Sequence, residues 1–176
     1  MRRMLTIQIL VMLSALPLLQ SQQINPAQDN APKESGLYYQ SADNYIKMQR
    51  SCNNGLKTHS FGARDEFVYK DVHANFQIDS HRPTFIFVGR DASPTVRHQF
   101  SLVSMENKKR ERRVEFRVGG VISNALDLKT IRTGLVSTVT PISELNTGEY
   151  LLGVFEGVSD ATVGNLTACG FDFSVK

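Results

Sequence analysis

An excess of either charge is nearly missing from this chain. Its 176 residues carry 20 Lys+Arg against 17 Asp+Glu, a formal net charge of +3. Two of those cations, Arg2 and Arg3, lie in an amino-terminal segment expected to be removed, which leaves 18 against 17 and a net charge of +1. So small an excess gives no field with which to hold a nucleic acid or an anionic surface. Glycine and proline, at 12 and 6 residues, are too few for a disordered or collagen-like chain. Past the amino end no apolar run approaches the roughly 20 residues that cross a bilayer, so no membrane span is expected once that end is gone. Nor does any later window place apolar residues at three-and-four spacing, which removes the amphipathic helix. The length suits one ordinary globular domain.

Catalytic patterns are missing as well. There is no C-x-x-C, no H-E-x-x-H and no G-x-S-x-G, and Gly119-Gly120 lacks the following helix that a phosphate-cradling loop requires. Asp65, Glu66, Asp91 and Glu149 are scattered carboxylates with no evident base partner. The chain is therefore expected not to be an enzyme and to carry no cofactor. Its histidines are His59, His73, His81 and His98, with Asp71 two residues before His73 and Asp79 two before His81. A metal site needs three or four such groups converging on one ion, and these are read as loop and solvent-face residues. A metal-dependent hydrolase assembled from His73, Asp79 and His81 is the alternative.

What is present starts at the amino end. Arg2 and Arg3 precede Leu5 to Leu19, where eleven of fifteen residues are apolar and none is charged. That is the plan of a secretory signal over residues 1–21, interrupted by Pro17 and Gln20 before any stop-transfer charge. Residues 22–35 read as a flexible leader, polar and holding Pro26 and Pro32. Export to the periplasm or the exterior follows. Cys52 and Cys169 suit an oxidising compartment, and one bond between them would add about 4–5 kcal/mol in the loop-entropy account. Two buried thiols without a bond are the other reading.

The rest has a two-residue rhythm. Leu37 to Gln40 and Tyr45 to Met48, separated by turn formers, predict a small hairpin within 36–60. Thr84-Phe85-Ile86-Phe87-Val88, bounded by Pro83 and Gly89, predicts a strand covered on both faces at the centre of the core. Phe67 to Tyr69 and Phe76 to Ile78 are short strand-like pieces. His98 to Leu102 and Arg113 to Val118 alternate and predict an antiparallel hairpin, with the polar run Glu106 to Arg112 between them. Leu135 to Thr140, Tyr150 to Phe155 and Cys169 to Val175 complete the set. The expected fold class is all-β: an immunoglobulin-like sandwich of antiparallel strands over 61–176, preceded by the small hairpin. In Leu145-Asn146-Thr147-Gly148-Glu149-Tyr150, the spacing of Leu145, Gly148 and Tyr150 fits a tyrosine corner with Gly148 at the bend. An ordinary loop leading to a buried Tyr150 is the alternative.

Gly36-Leu37-Tyr38-Tyr39 with the Asp43 to Met48 return, and later Val139-Thr140-Pro141 followed by the Leu145 to Tyr150 step, resembles a group of uncharacterised exported bacterial β-rich proteins. The chain departs from that pattern in having Tyr45 where a Trp is usual and no Trp anywhere. The resemblance implies an envelope-associated β protein and brings no activity with it.

The most distinctive polar feature is Lys108, Lys109, Arg110, Arg112 and Arg113, five cations in six positions. At a hairpin tip they could hold phosphate or carboxylate groups on an envelope polymer, a lipid head group or an acidic protein. Read otherwise, the run is a solvated turn that keeps strand edges from pairing with other molecules. Aromatic residues are not interleaved as single-stranded nucleic acid would require. Asn165-Leu166-Thr167 meets the N-glycosylation pattern, which matters only in a eukaryotic secretory route. The sequence thus predicts an exported, non-catalytic β-sandwich that acts through surface contacts with an unknown protein or envelope component. A ligand-binding protein using the basic turn, or the hydrolase with loop histidines, stands as the alternative.

Overall fold

The computed structural model describes residues 32–58, 64–90, 98–117, 125–156 and 169–176. The signal, the leader up to residue 31, His59, Asp91, Val118, Gly119-Gly120 and Asn165 to Thr167 lie outside them. All regular structure among the described residues is β. The first half of the order is β1 (Gly36–Ser41), β2 (Asn44–Lys47), β3 (Ser51–Cys52), β4 (Gly55–Thr58), β5 (Arg64–Lys70), β6 (Gln77–Ile78) and β7 (Thr84–Val88). It continues with β8 (His98–Lys108), β9 (Glu111–Arg117), β10 (Ala125–Leu126), β11 (Leu128–Thr133), β12 (Val136–Pro141), β13 (Gly148–Glu156) and β14 (Cys169–Val175).

These strands form two sheets. One runs β11-β12-β7-β1-β2, with every neighbour antiparallel. The other runs β3-β14-β13-β8-β9-β5-β4, with β10 on β8 and β6 beside β14, the latter pair parallel. The apolar run Thr84 to Val88 lies in the middle of the first sheet and is buried on both faces, as its composition demands: Phe85 and Phe87 face the second sheet, while Ile86 and Val88 pack with Tyr38 on the opposite side. The hairpin of 36–60 was expected to precede the sandwich. It is instead part of it, because β1 adds to the free side of β7 with Leu37 opposite Phe87 and Tyr39 opposite Phe85.

Between the sheets, Leu37, Phe85, Phe87 and Val139 meet Leu102, Tyr150, Leu152, Phe173 and Val175. Phe85 and Phe173 touch across the gap with ring centroids 5.1 Å apart, Phe87 and Phe100 meet edge-on at 5.6 Å, and Tyr150 stacks on Phe173 at 5.5 Å. Two antiparallel sheets facing each other over an apolar layer make a sandwich.

The second sheet carries another core on its reverse face. Alternate residues of β8 and β13 point there, so Val103, Met105 and Leu151 are buried against Tyr69 of β5 and Val114 of β9. The arm of β9, β5 and β4 folds over that face because β8 runs for 11 residues, longer than its partner β13 covers: its first part pairs with β13 and Glu106 to Lys108 pair with β9. The turn between β8 and β9 is only Lys109-Arg110, with Lys109 at a φ of 61°. The polar run Glu106 to Arg112 is thus mostly strand, because its charges are matched across neighbouring strands and one of them turns inward. At β14, Gly170 is fixed by crowding, since a Cβ there would sit 2.8 Å from Leu151 and 3.0 Å from the Leu152 carbonyl.

Phe173→Ala empties the contact at the middle of the sandwich and is expected to cost about 3–5 kcal/mol in urea unfolding. A loss under about 1 kcal/mol would contradict the facing of the sheets at that residue.

Candidate functional site

Cys52 and Cys169 sit directly opposite each other where β3 pairs with β14. They are bonded, with 4.0 Å between Cα atoms and a sequence separation of 117. The bond ties a two-residue strand at the sheet end to the last strand of the chain.

The Leu145 to Tyr150 step lies where the chain passes from β12 of the first sheet to β13 of the second. Tyr150 Oη donates to the Asn146 carbonyl at 2.8 Å, and Leu145 is buried beside it. This is the back-bond that defines a tyrosine corner. Gly148 does not supply its bend: no positive φ occurs there, and a Cβ would rest 3.9 Å from the Tyr150 ring, an ordinary contact. The corner is held instead by a two-way clasp, in which Leu145 N–H donates to the His81 carbonyl and the Leu145 carbonyl lies 2.6 Å from His81 Nδ1.

The basic turn is dispersed. Lys108 pairs with Glu66 and Glu106 at 3.1 and 2.9 Å, and Arg113 with Glu66 and Glu111 at 2.8 and 3.1 Å. Lys57 of β4 reaches Glu111 at 2.6 Å. Three cations and three carboxylates therefore balance across β4, β5, β8 and β9. Burial works against the Glu66 charge, but the hydrogen bonds from Lys108 and Arg113 outweigh it and hold its carboxyl below the ordinary value. Arg112 points the other way, sharing the face of Val114, and is 3% exposed. Of the five expected anion-binding residues only Lys109 and Arg110 lie at the exposed tip. Strand alternation places Arg112 and Arg113 on opposite faces of β9.

Arg112 belongs to a buried polar cluster not evident from sequence. Its Nη1 lies 2.7 Å from Asp172 Oδ2 and 3.7 Å from Glu149 Oε2. Its Nε and Nη2 donate to the carbonyls of Asp71 and Lys70 at 3.1 and 3.4 Å. Glu149, 4% exposed, accepts from the Ala74 amide and the Ser174 hydroxyl, each at 2.8 Å, and its Oε1 is 2.9 Å from His73 Nδ1. Because a carboxylate only accepts, Nδ1 carries the hydrogen and Nε2 is the imidazole's remaining ring nitrogen. The His73 side chain is itself 69% exposed. Burial and then the Asp172 carboxylate push the Tyr69 phenol well above its ordinary value, with Arg112 offsetting part of the rise.

The turn at Lys70 to Ala74 is thereby pinned at both ends, by Arg112 through two carbonyls and by Glu149 through one amide and one imidazole. Asp71 occupies a φ of 71° inside it, a conformation that costs on the order of 1–2 kcal/mol outside glycine. Such a cluster orders backbone. The Ser174 hydroxyl is directed at Glu149 and not at an imidazole nitrogen. His73 and His81, two members of the alternative hydrolase set, are held on Glu149 and Leu145 respectively. Among the described residues no group of three or more His, Cys, Asp or Glu side chains is placed to hold a metal ion. One sign of the cluster was readable: alternation puts Arg112 in line with Val114, and Glu149 in line with Leu151. Comparison with protein-family models and with curated proteins finds no match for the chain.

Arg112→Met leaves two carboxylates buried without their cation and is expected to cost about 3–5 kcal/mol, whereas Arg110→Ser at the tip should change stability by less than about 0.5 kcal/mol. Equal losses in chemical denaturation would contradict the assignment. A pH comparison checks the balanced array. Because the folded carboxyl of Glu66 titrates below its unfolded counterpart, its contribution is complete above the ordinary carboxylate range and is lost as pH falls through the folded value. Glu66→Gln should therefore be less stable than the parent at about pH 7, with the difference shrinking toward about pH 3. An unchanged difference at the two values would contradict the array.

Proposed function

We propose that this protein is an exported, non-catalytic β-sandwich module of the bacterial envelope that acts through surface contacts with a protein or envelope component. The observation that carries the reading is the Cys52–Cys169 bond, since a structural disulfide persists in oxidising compartments. The cationic and apolar amino end supports the same destination, as does the resemblance to exported bacterial β-rich proteins. Among the described residues no helix is long and apolar enough to cross a membrane.

Strand order supports the immunoglobulin-like form of the sandwich. Taking β1, β7, β8, β11, β12, β13 and β14 as strands A, B, C, D, E, F and G, the sheets run D-E-B-A and G-F-C. Tyr150 then stands at the E–F corner, the place where that architecture puts its corner tyrosine. The chain differs from antibody domains in having no tryptophan and in placing its disulfide between β3 and β14. Glu149 and His81 are engaged with backbone and His73 with Glu149, which favours contact over catalysis.

Expression of the full chain in a bacterium, followed by fractionation and thiol alkylation, tests this reading. The protein should appear outside the cytoplasm, shortened at its amino end, with neither cysteine reacting until a reductant is added. Full-length protein retained in the cytoplasm with both thiols reactive would overturn it.

A further inference from the structure

Residues 48–54 form a strap from the first sheet to the arm of the second, and β3 lies in the middle of it. Two attachments join β3 to β14, and they differ in kind. At the other end of β14, Ser174 N–H donates to the Phe76 carbonyl on the side away from β13. Backbone groups alternate in direction along a strand, so Gly170 also turns its backbone outward and forms the hydrogen-bonded pair with Ser51. Cys169 and Cys52 then stand opposite each other at the non-hydrogen-bonded position, where opposed side chains approach most closely. One backbone pair and one covalent bond therefore hold β3 to β14.

The two ends of the strap are anchored without the cysteines. Met48 is buried in the sandwich core, and its N–H donates to the Leu37 carbonyl at 2.9 Å. Asn54 N–H donates to the Val68 carbonyl at 2.7 Å, and Asn54 Oδ1 accepts the Lys70 N–H at 2.8 Å. Breaking the sulfur bond leaves both anchors in place. The two cysteines also differ in access, since Cys52 is exposed and Cys169 is only partly so. A thiolate arriving from solvent meets the Cys52 sulfur first, and exposed disulfides are the ones open to exchange.

We infer that the Cys52–Cys169 bond is a releasable fastener, opened in the folded protein by a dithiol that attacks at Cys52, and that its reduction frees β3 from β14 while both sheets stay folded. The attacking thiolate bonds to Cys52 Sγ, and the electron pair of the broken sulfur bond leaves on Cys169 Sγ, which takes up a proton. The second thiol of the reductant then attacks its own sulfur in the mixed disulfide and releases Cys52 as a thiol. The reductant closes to a disulfide, and the protein gains two electrons and two protons. With the covalent bond gone, a single backbone pair is left between β3 and β14, too little to keep a two-residue strand from fraying. The outward backbone of Gly170 is then uncovered. This inference deepens the exported reading by naming a reaction at its disulfide and rests on that reading for the bond being formed. Its test starts from purified, oxidised protein, so either can fail alone.

Dithiothreitol added without denaturant should reduce the protein much faster than the protein unfolds globally. A short pulse of the monothiol glutathione followed by iodoacetamide should leave glutathione on Cys52 and the alkyl group on Cys169, about tenfold or more over the reverse pattern. Hydrogen exchange then compares the oxidised protein, the reduced protein and the double variant Cys52→Ser with Cys169→Ser. In the last two, the Ser51 and Gly170 amides should exchange about tenfold or more faster than in the first, while those of Met48, Asn54, Phe85 and Leu152 stay protected. Reduction no faster than global unfolding, or equal adducts on the two cysteines, would overturn the entry at Cys52. Protection lost throughout the reduced protein and the double variant, or Ser51 and Gly170 as slow there as in the oxidised protein, would overturn the release.

Discussion

The middle of β8, at Leu102 and Val103, and the first half of β13, Glu149 to Leu152, are buried on both faces, and the rest of the fold is arranged around that constraint. A strand with one wet face can place any polar residue on its outer side. Here the outer side is covered by β5 and β9, so each residue facing it must be apolar or have a partner. Val103, Met105 and Leu151 meet the first condition. Glu149, with Asp172 and Ser174 beside it on β14, meets the second, and Arg112 supplies the cation.

That arrangement trades hydration for order. Two carboxylates and a guanidinium removed from water lose several kcal/mol each, and their attraction restores this only when the remaining donors and acceptors are also filled. They are filled here by the backbone of Lys70, Asp71 and Ala74 and by His73. The cluster is thus less a source of net stability than a means of fixing one conformation for the turn after β5. The disulfide acts in a similar sense at the sheet end, holding β3 to β14 where two residues of pairing alone would fray. Between these two fixtures the apolar layer of the sandwich supplies the bulk of the driving force.

Local patterning made much of this legible. Thr84 to Val88 could only be a strand buried on both sides, because five consecutive apolar or β-branched residues between Pro83 and Gly89 leave no wet face. Tyr150 and the two cysteines were marked by spacing and compartment. β11 was illegible for the opposite reason: Leu128 to Thr133 buries no stripe, and an edge strand exposed on both faces has no apolar rhythm to read. Arg112, Glu149 and Asp172 were hidden by a different ambiguity. A period of two tells which residues share a face, but whether that face is wet depends on an arm folding back from β9 and β5, far away in sequence. The same ambiguity made five cations in six positions look like one basic turn when strand geometry sends Arg112 and Arg113 to opposite sides of a sheet.

A module of this kind offers its surroundings edges and surfaces, while its interior polar groups are committed to holding backbone. The account depends most on Arg112 and Asp172 forming a desolvated pair beneath the β5–β9 arm. A double-mutant cycle on Arg112→Met and Asp172→Asn measures that directly. The account predicts a coupling of about 2 kcal/mol or more, well above an exposed ion pair. A coupling within about 0.5 kcal/mol of zero would mean the pair is in water, and the second buried face with it.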